Sequence, residues 1–92
     1  MAMPKEGTLE YAEVRGVDQM LLALCRARNI TLEELLSDLR VQSIARARAE
    51  AAYKLRMRGM SWPEVGAVLG KHHTAVMTAA KGWAVKNSKA IR

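Results

Sequence analysis

The stretch from Ser61 to Val76 restricts the fold more than any other part of the chain. Ser61-Trp62-Pro63-Glu64 opens a helix. The Ser61 hydroxyl suits the backbone N–H of residue 64, Glu64 can return the bond, and Pro63 is tolerated in a first turn. Gly70 ends that helix after about eight residues, and another is predicted from about His73 to Val85. Two short helices joined through a tight glycine-containing turn make a helix-turn-helix candidate. Its usual spacing is a small residue, Gly four later and an aliphatic residue six after that, which Gly66, Gly70 and Val76 satisfy. Gly66 lets the second helix cross closely, Gly70 permits a turn at positive φ, and Val76 locks the helices together. Val65, Leu69 and Ala79 are apolar where the motif packs, whereas Lys71 stands where an apolar residue is commoner.

The rest of the chain also carries helical periodicity and no strand pattern. Val14, Val17, Leu21, Leu24 and Cys25 form one apolar stripe over 14–28, and Asn29 is the expected stop. Thr31-Leu32-Glu33-Glu34 is a second capping box, with Leu32, Leu35, Leu36 and Leu39 as its apolar side. A long helix is predicted from Ser43 to Arg58, ended by Gly59, with Ile44, Ala47, Ala51, Ala52 and Leu55 on one face. Arg48 projects near that face, where it either snorkels to the edge or meets a partner. In the last helix Val76, Ala79, Ala80 and Trp83 face inward, and Thr74, Met77, Thr78 and Lys81 face outward. The expected architecture is all-α, with five helices in one domain. Residues 1–13 read as a loose or weakly helical lead-in, 14–85 as the helical domain and 86–92 as a basic, fraying tail.

Charge divides the chain in two. Residues 1–38 hold four bases and seven acids, a net of −3, while residues 39–92 hold eleven bases and two acids, a net of +9. That split points to a polyanionic partner, although charge alone attracts RNA, anionic lipid and DNA alike. With 50% hydrophobic residues the chain is too apolar for a disordered basic tail. It has no apolar run near the ~18 residues that span a bilayer, and its start has no apolar signal-peptide core. The single cysteine, Cys25, forms no internal disulfide, so a reducing bacterial-type cytoplasm is the expected setting. Two Trp, two Tyr and no Phe argue against a reader that stacks single-stranded bases. Groove reading of duplex DNA remains.

In a helix-turn-helix the start of the second helix enters the major groove. Here that start is Lys71, His72, His73, Thr74 and Ala75, followed by Thr78 and Lys81. His and Thr can hydrogen-bond base edges or phosphates, and Ala75 and the Thr methyl can touch a thymine methyl. Backbone N–H groups at the helix start can also hold a phosphate. His72-His73 is no metal pair, since adjacent residues point about 100° apart on a helix and no further ligands accompany them. No metal, cofactor or nucleotide is expected. Arg46 and Arg48 also fit as intramolecular pairing partners, and Trp62, Trp83 and Met20, Met57, Met60 and Met77 as packing residues.

From about Val17 to Trp83 the chain resembles the C-terminal DNA-binding domain of the bacterial replication initiator DnaA. Val17-Asp18-Gln19-Met20 resembles the start of the family's first helix, and Leu35-Leu36-Ser37 the segment leading into its basic loop. Ile44-Ala45-Arg46-Ala47-Arg48 resembles the start of its long helix. Ser61-Trp62-Pro63-Glu64-Val65-Gly66 resembles its Ser-Leu-Pro-Glu-Ile-Gly signature. His73-Thr74-Ala75-Val76 resembles its Asp-His-Thr-Thr-Val signature, less the first residue. The resemblance implies a Trp-repressor-like helical fold. It implies minor-groove contact by a basic-loop arginine, matched by Arg40, and major-groove reading by His73 and Thr74. Arg46, Arg48 and Arg56 match basic positions near phosphates, and Gln42, Ser61 and Lys81 complete the phosphate candidates. Departures are His72 for the Asp, Ala75 for the second Thr, Gln42 for a basic-loop Arg, and a turn one residue shorter. A site preference different from, or weaker than, that for the initiator box is therefore expected.

No G-x-x-x-x-G-K-[ST] loop occurs in the chain, and no Cys/His or Ser/His/Asp catalytic set is complete, so no enzyme is expected. The leading expectation is a stand-alone, sequence-specific binder of double-stranded DNA at the bacterial nucleoid. That is the role of a transcription regulator, of a kind a phage or gene-transfer element could carry. One alternative is a modulator of replication that competes for initiator sites. Another is a protein-interaction module using its basic face, with a second protein partner on the acidic N-terminal third.

Overall fold

A computed structural model describes residues 2–91; Met1 and Arg92, the outer ends of the expected lead-in and tail, lie outside it. Six α-helices occur among the described residues, in the order α1 (Leu9–Val14), α2 (Asp18–Arg28), α3 (Leu32–Leu36), α4 (Gln42–Met57), α5 (Trp62–Leu69) and α6 (His73–Lys86), and no strand does. The all-α expectation holds, with six helices in place of five.

Local chemistry accounts for most helix ends. Thr31 and Ser61 cap α3 and α5, each in a full capping box with Glu34 and Glu64. Asn29, at φ 56°, stops α2 in the left-handed conformation that Asn tolerates. Gly70, at φ 67°, does the same for α5. The long helix α4 lies at the centre, packed on α2, α3, α5 and most extensively α6. Ala47, Ala51 and Ala52 are fully buried there, and small side chains let the neighbouring helices approach. Leu21, Leu35, Leu55, Val65, Val68 and Leu69 fill the space around them. Deleting such a leucine side chain would cost ~2–5 kcal/mol.

Both chain ends differ from the sequence expectation. Residues 9–14 form α1, capped by Thr8, and its Tyr11 and Ala12 are buried. The Gly7 N–H donates to Ala67 O at 3.0 Å, and Arg15 pairs with Glu64, so the lead-in is fastened to α5. The helix expected over 14–28 begins only at Asp18, because Gly16, at φ 73°, turns the chain first. Val14 consequently leaves the apolar stripe and is 57% exposed. At the other end, the tail expected to fray folds back onto α4: the Tyr53 hydroxyl donates to Ala90 O at 2.9 Å and Ile91 packs on the core. Among the described residues no helix is long and apolar enough to cross a membrane.

Candidate nucleic-acid interface

The α5–α6 corner depends on two glycines. A Cβ on Gly66 would sit 2.6 Å from the Lys71 carbonyl oxygen, so only glycine lets the chain turn back this tightly. The Lys71 N–H donates to Gly66 O at 2.9 Å and closes the turn. On its outer side Gly70 abuts Gly7, where a Cβ on either would come within 2.9 Å of the other's Cα. The N-terminal segment therefore covers the turn, and Lys5 and Glu6 line a shallow depression with Gly70, Lys71 and His72.

His72 is the N-cap of α6. Its Nδ1 accepts the Thr74 N–H at 3.2 Å. In a neutral imidazole the other nitrogen, Nε2, then carries the proton and can only donate. The His72 and His73 rings lie 4.3 Å apart, and the described residues hold no group of three His, Cys, Asp or Glu able to bind a metal. His73, Thr74 and Ala75 are exposed over the first turn, and Thr78 and Lys81 continue that exposed face. Val76 and Ala80 are buried beneath it, as the periodicity predicts.

A groove beside this face runs between α4 and α6. Ala45, Ala49, Ala79, Gly82 and Trp83 contribute its apolar lining, and Gln42, Arg46, Thr78 and Lys86 contribute the polar lining. Arg46 is exposed and, among the described residues, makes no ion pair or hydrogen bond, so its charge is available. Lys86 is the member that sequence reasoning missed. Its position four residues after Gly82 and eight after Thr78 could have revealed it, since that spacing keeps to one helix face. Lys5, by contrast, reaches the helix start only through the Gly7–Gly70 contact, which leaves no mark in the periodicity.

Arg40 is exposed on the loop before α4. Several other candidate cations serve the protein itself. Arg48 turns to backbone carbonyls: Nε donates to Leu35 O at 2.9 Å, Nη2 to Ser37 O at 2.8 Å, and both Nη atoms to Leu39 O at 3.3 Å. Burial lowers its pKa from the usual arginine value, and the Asp38 charge opposes that shift. Arg48 thus sits as the intramolecular partner that the sequence also allowed. Lys71, expected in the major groove, instead donates from Nζ to Ser37 O at 2.8 Å and Asp38 Oδ1 at 2.6 Å. That hydrogen bond and charge lower the Asp38 carboxyl pKa. Arg56 donates to Met60 O at 3.1 Å and lies 4.8 Å over the Trp62 ring. Ser61, also a phosphate candidate, is occupied as the cap of α5.

A family model described as the bacterial dnaA protein helix-turn-helix matches residues 17–82, well over half of the chain. No curated protein and no solved structure matches it.

Proposed function

The chain belongs to the bacterial DnaA helix-turn-helix family, and from that premise we propose that it reads double-stranded DNA in a sequence-specific manner as a transcription regulator. Membership supports DNA binding; the finer reading is carried by the exposed first turn of α6. There His73, Thr74 and Ala75 are available to base edges, beside a groove rimmed by Arg46 and Lys86. In this reading His73 and Thr74 contact the major groove and Arg40 the minor groove. Gln42, Arg46, Lys81 and Lys86 track the phosphates, with Thr78 on the same face. His72 acts as a donor through Nε2. A carboxylate at that position accepts from base amines, so a donating imidazole favours acceptors such as guanine N7 and O6, or a phosphate. This supports a target other than the initiator box, and hence regulation over competition for initiator sites.

Selection of bound duplexes from a random pool, followed by a salt titration, tests the proposal. With Arg48, Lys71 and Arg56 engaged internally, the cations left to the duplex are Arg40, Arg46, Lys81 and Lys86, so log K against log salt should fall with a slope of about −3.5. A flat salt dependence, or no enriched sequence, would sink it. Binding to an acidic protein with no duplex binding would favour an interaction module.

A further inference from the structure

Lys71 and Arg48 converge on one short piece of chain. Ser37 O accepts from both, at 2.8 Å each. Asp38 adds a carboxylate to Lys71, and Leu35 O and Leu39 O add carbonyls to Arg48. α3 stops at Leu36, so its last carbonyls and those of the following loop lack helical partners. These cations supply them. On the other side, Lys71 directly precedes His72, the cap of α6. Arg40 follows Asp38 by two residues, which span at most about 7 Å of extended chain. The fixed point of the Arg40 loop is therefore a residue of the helix-turn-helix turn.

We propose that Lys71 is a positioning residue. With Arg48 it clamps loop 37–41 to the turn, so that Arg40 and the first turn of α6 reach a duplex in one fixed register. The inference rests on the DNA-binding reading above and deepens it: the major-groove and minor-groove halves are coupled inside the protein before DNA arrives. Lys71 is poorly suited to direct contact, because its side chain is only 17% exposed and its charge faces Asp38. Asp38 itself, 99% exposed, is an acid on a DNA-binding loop that charge alone would disfavour. The clamp gives that acid a purpose.

The test compares the full chain with Lys71→Met and Asp38→Asn, using duplexes selected by the wild type. A direct phosphate contact by Lys71 would lower the salt slope by about 0.9 on substitution. The clamp leaves the slope in place and flattens the A·T preference at the minor-groove positions, from roughly tenfold to about twofold. The preference at the positions read by His73 stays. Asp38→Asn decides the matter, since removing an acid should tighten binding by charge alone, whereas the clamp requires the same loss of A·T preference. Its carboxylate is fully exposed, so this variant keeps the fold even if circular dichroism shows Lys71→Met unfolded. A lowered slope with intact preference, or an unchanged Asp38→Asn profile, would overturn the clamp alone. Failure of the wild type to bind any duplex would overturn the DNA reading, and the clamp with it.

Discussion

The first turn of α6 and the loop from Ser37 to Val41 both carry polar groups suited to DNA, but the protein holds them in opposite ways. In α6 the helix supplies its own order. His72 caps it, Val76 and Ala80 anchor it, and His73, Thr74 and Ala75 are left exposed. The loop has no ladder of its own and takes its order from Arg48 and Lys71, which reach it from α4 and the turn. A cation beside a helix can serve a ligand, whereas one beside a loop full of open carbonyls is drawn to the carbonyls first. Buried or half-buried carbonyls need partners, and a charged donor is a strong one.

Substitutions can break this contrast or sharpen it. The largest effect is expected at Gly66, which both regions share through the turn. Gly66→Ala drives a Cβ against the Lys71 carbonyl and should destabilise by about 3 kcal/mol, lowering the melting temperature by roughly 10–20 °C. A thermal melt followed by circular dichroism reads it, and a shift under a few degrees would mean the corner relaxes freely. On the helix side, His73→Ala should weaken binding to the selected site by ~1–3 kcal/mol and hardly alter binding to random DNA. Gel-shift titrations on both duplexes separate readout from a general loss.

On the loop side, Arg48→Met should cost about 1–2 kcal/mol in urea unfolding, because the Leu35 and Leu39 carbonyls lose their charged donor and Ser37 O keeps only Lys71. Were Arg48 instead a phosphate contact, stability would be untouched and the salt slope would drop. Arg40→Ala should leave stability alone and lower affinity by about 1 kcal/mol, chiefly where A·T-rich flanks narrow the minor groove. Equal loss on every sequence would make Arg40 a plain phosphate contact.

The smallest effect concerns α5, which supports both regions. The Ser61 backbone N–H, then its hydroxyl and Arg15, hold the Glu64 carboxyl down to a pKa of about 2. A depressed carboxylate pKa means stabilisation present above the unfolded value, about 4.3, and lost as pH falls through the folded value. The melting temperature of Glu64→Gln should therefore lie slightly below wild type at pH 6, and the gap should close as pH approaches 2. A gap that persists in acid would show that the charge on Glu64 is irrelevant.

How far each feature could be read in advance follows from the range of the forces involved. Capping boxes at Thr31 and Ser61, the stop at Gly70 and the apolar faces of α4 and α6 are local, so a few residues declare them. α1 was not legible as a packed helix, because six residues are too few for periodicity and its order comes from burying Tyr11 and Ala12. The helix-turn-helix corner was legible through its glycine spacing and the family signatures. Residue type, however, does not say which cations face outward. Arg46 and Arg48 stand two apart on one helix, about 200° around its axis. One is exposed at the groove and the other is drawn into the α3 carbonyls.

By itself, then, the sequence determined that the chain is helical, where most helices start and stop, and that a helix-turn-helix lies near its basic end. Propensity, capping and apolar spacing act over a few residues and need no distant partner. Only the tertiary structure decided which charges remain available to a ligand. Lys71 meets Ser37 and Asp38 across more than thirty residues of chain, and Lys5 arrives beside His72 because two glycines touch. Electrostatic pairing depends on distance in space, and that distance exists only once the helices have packed.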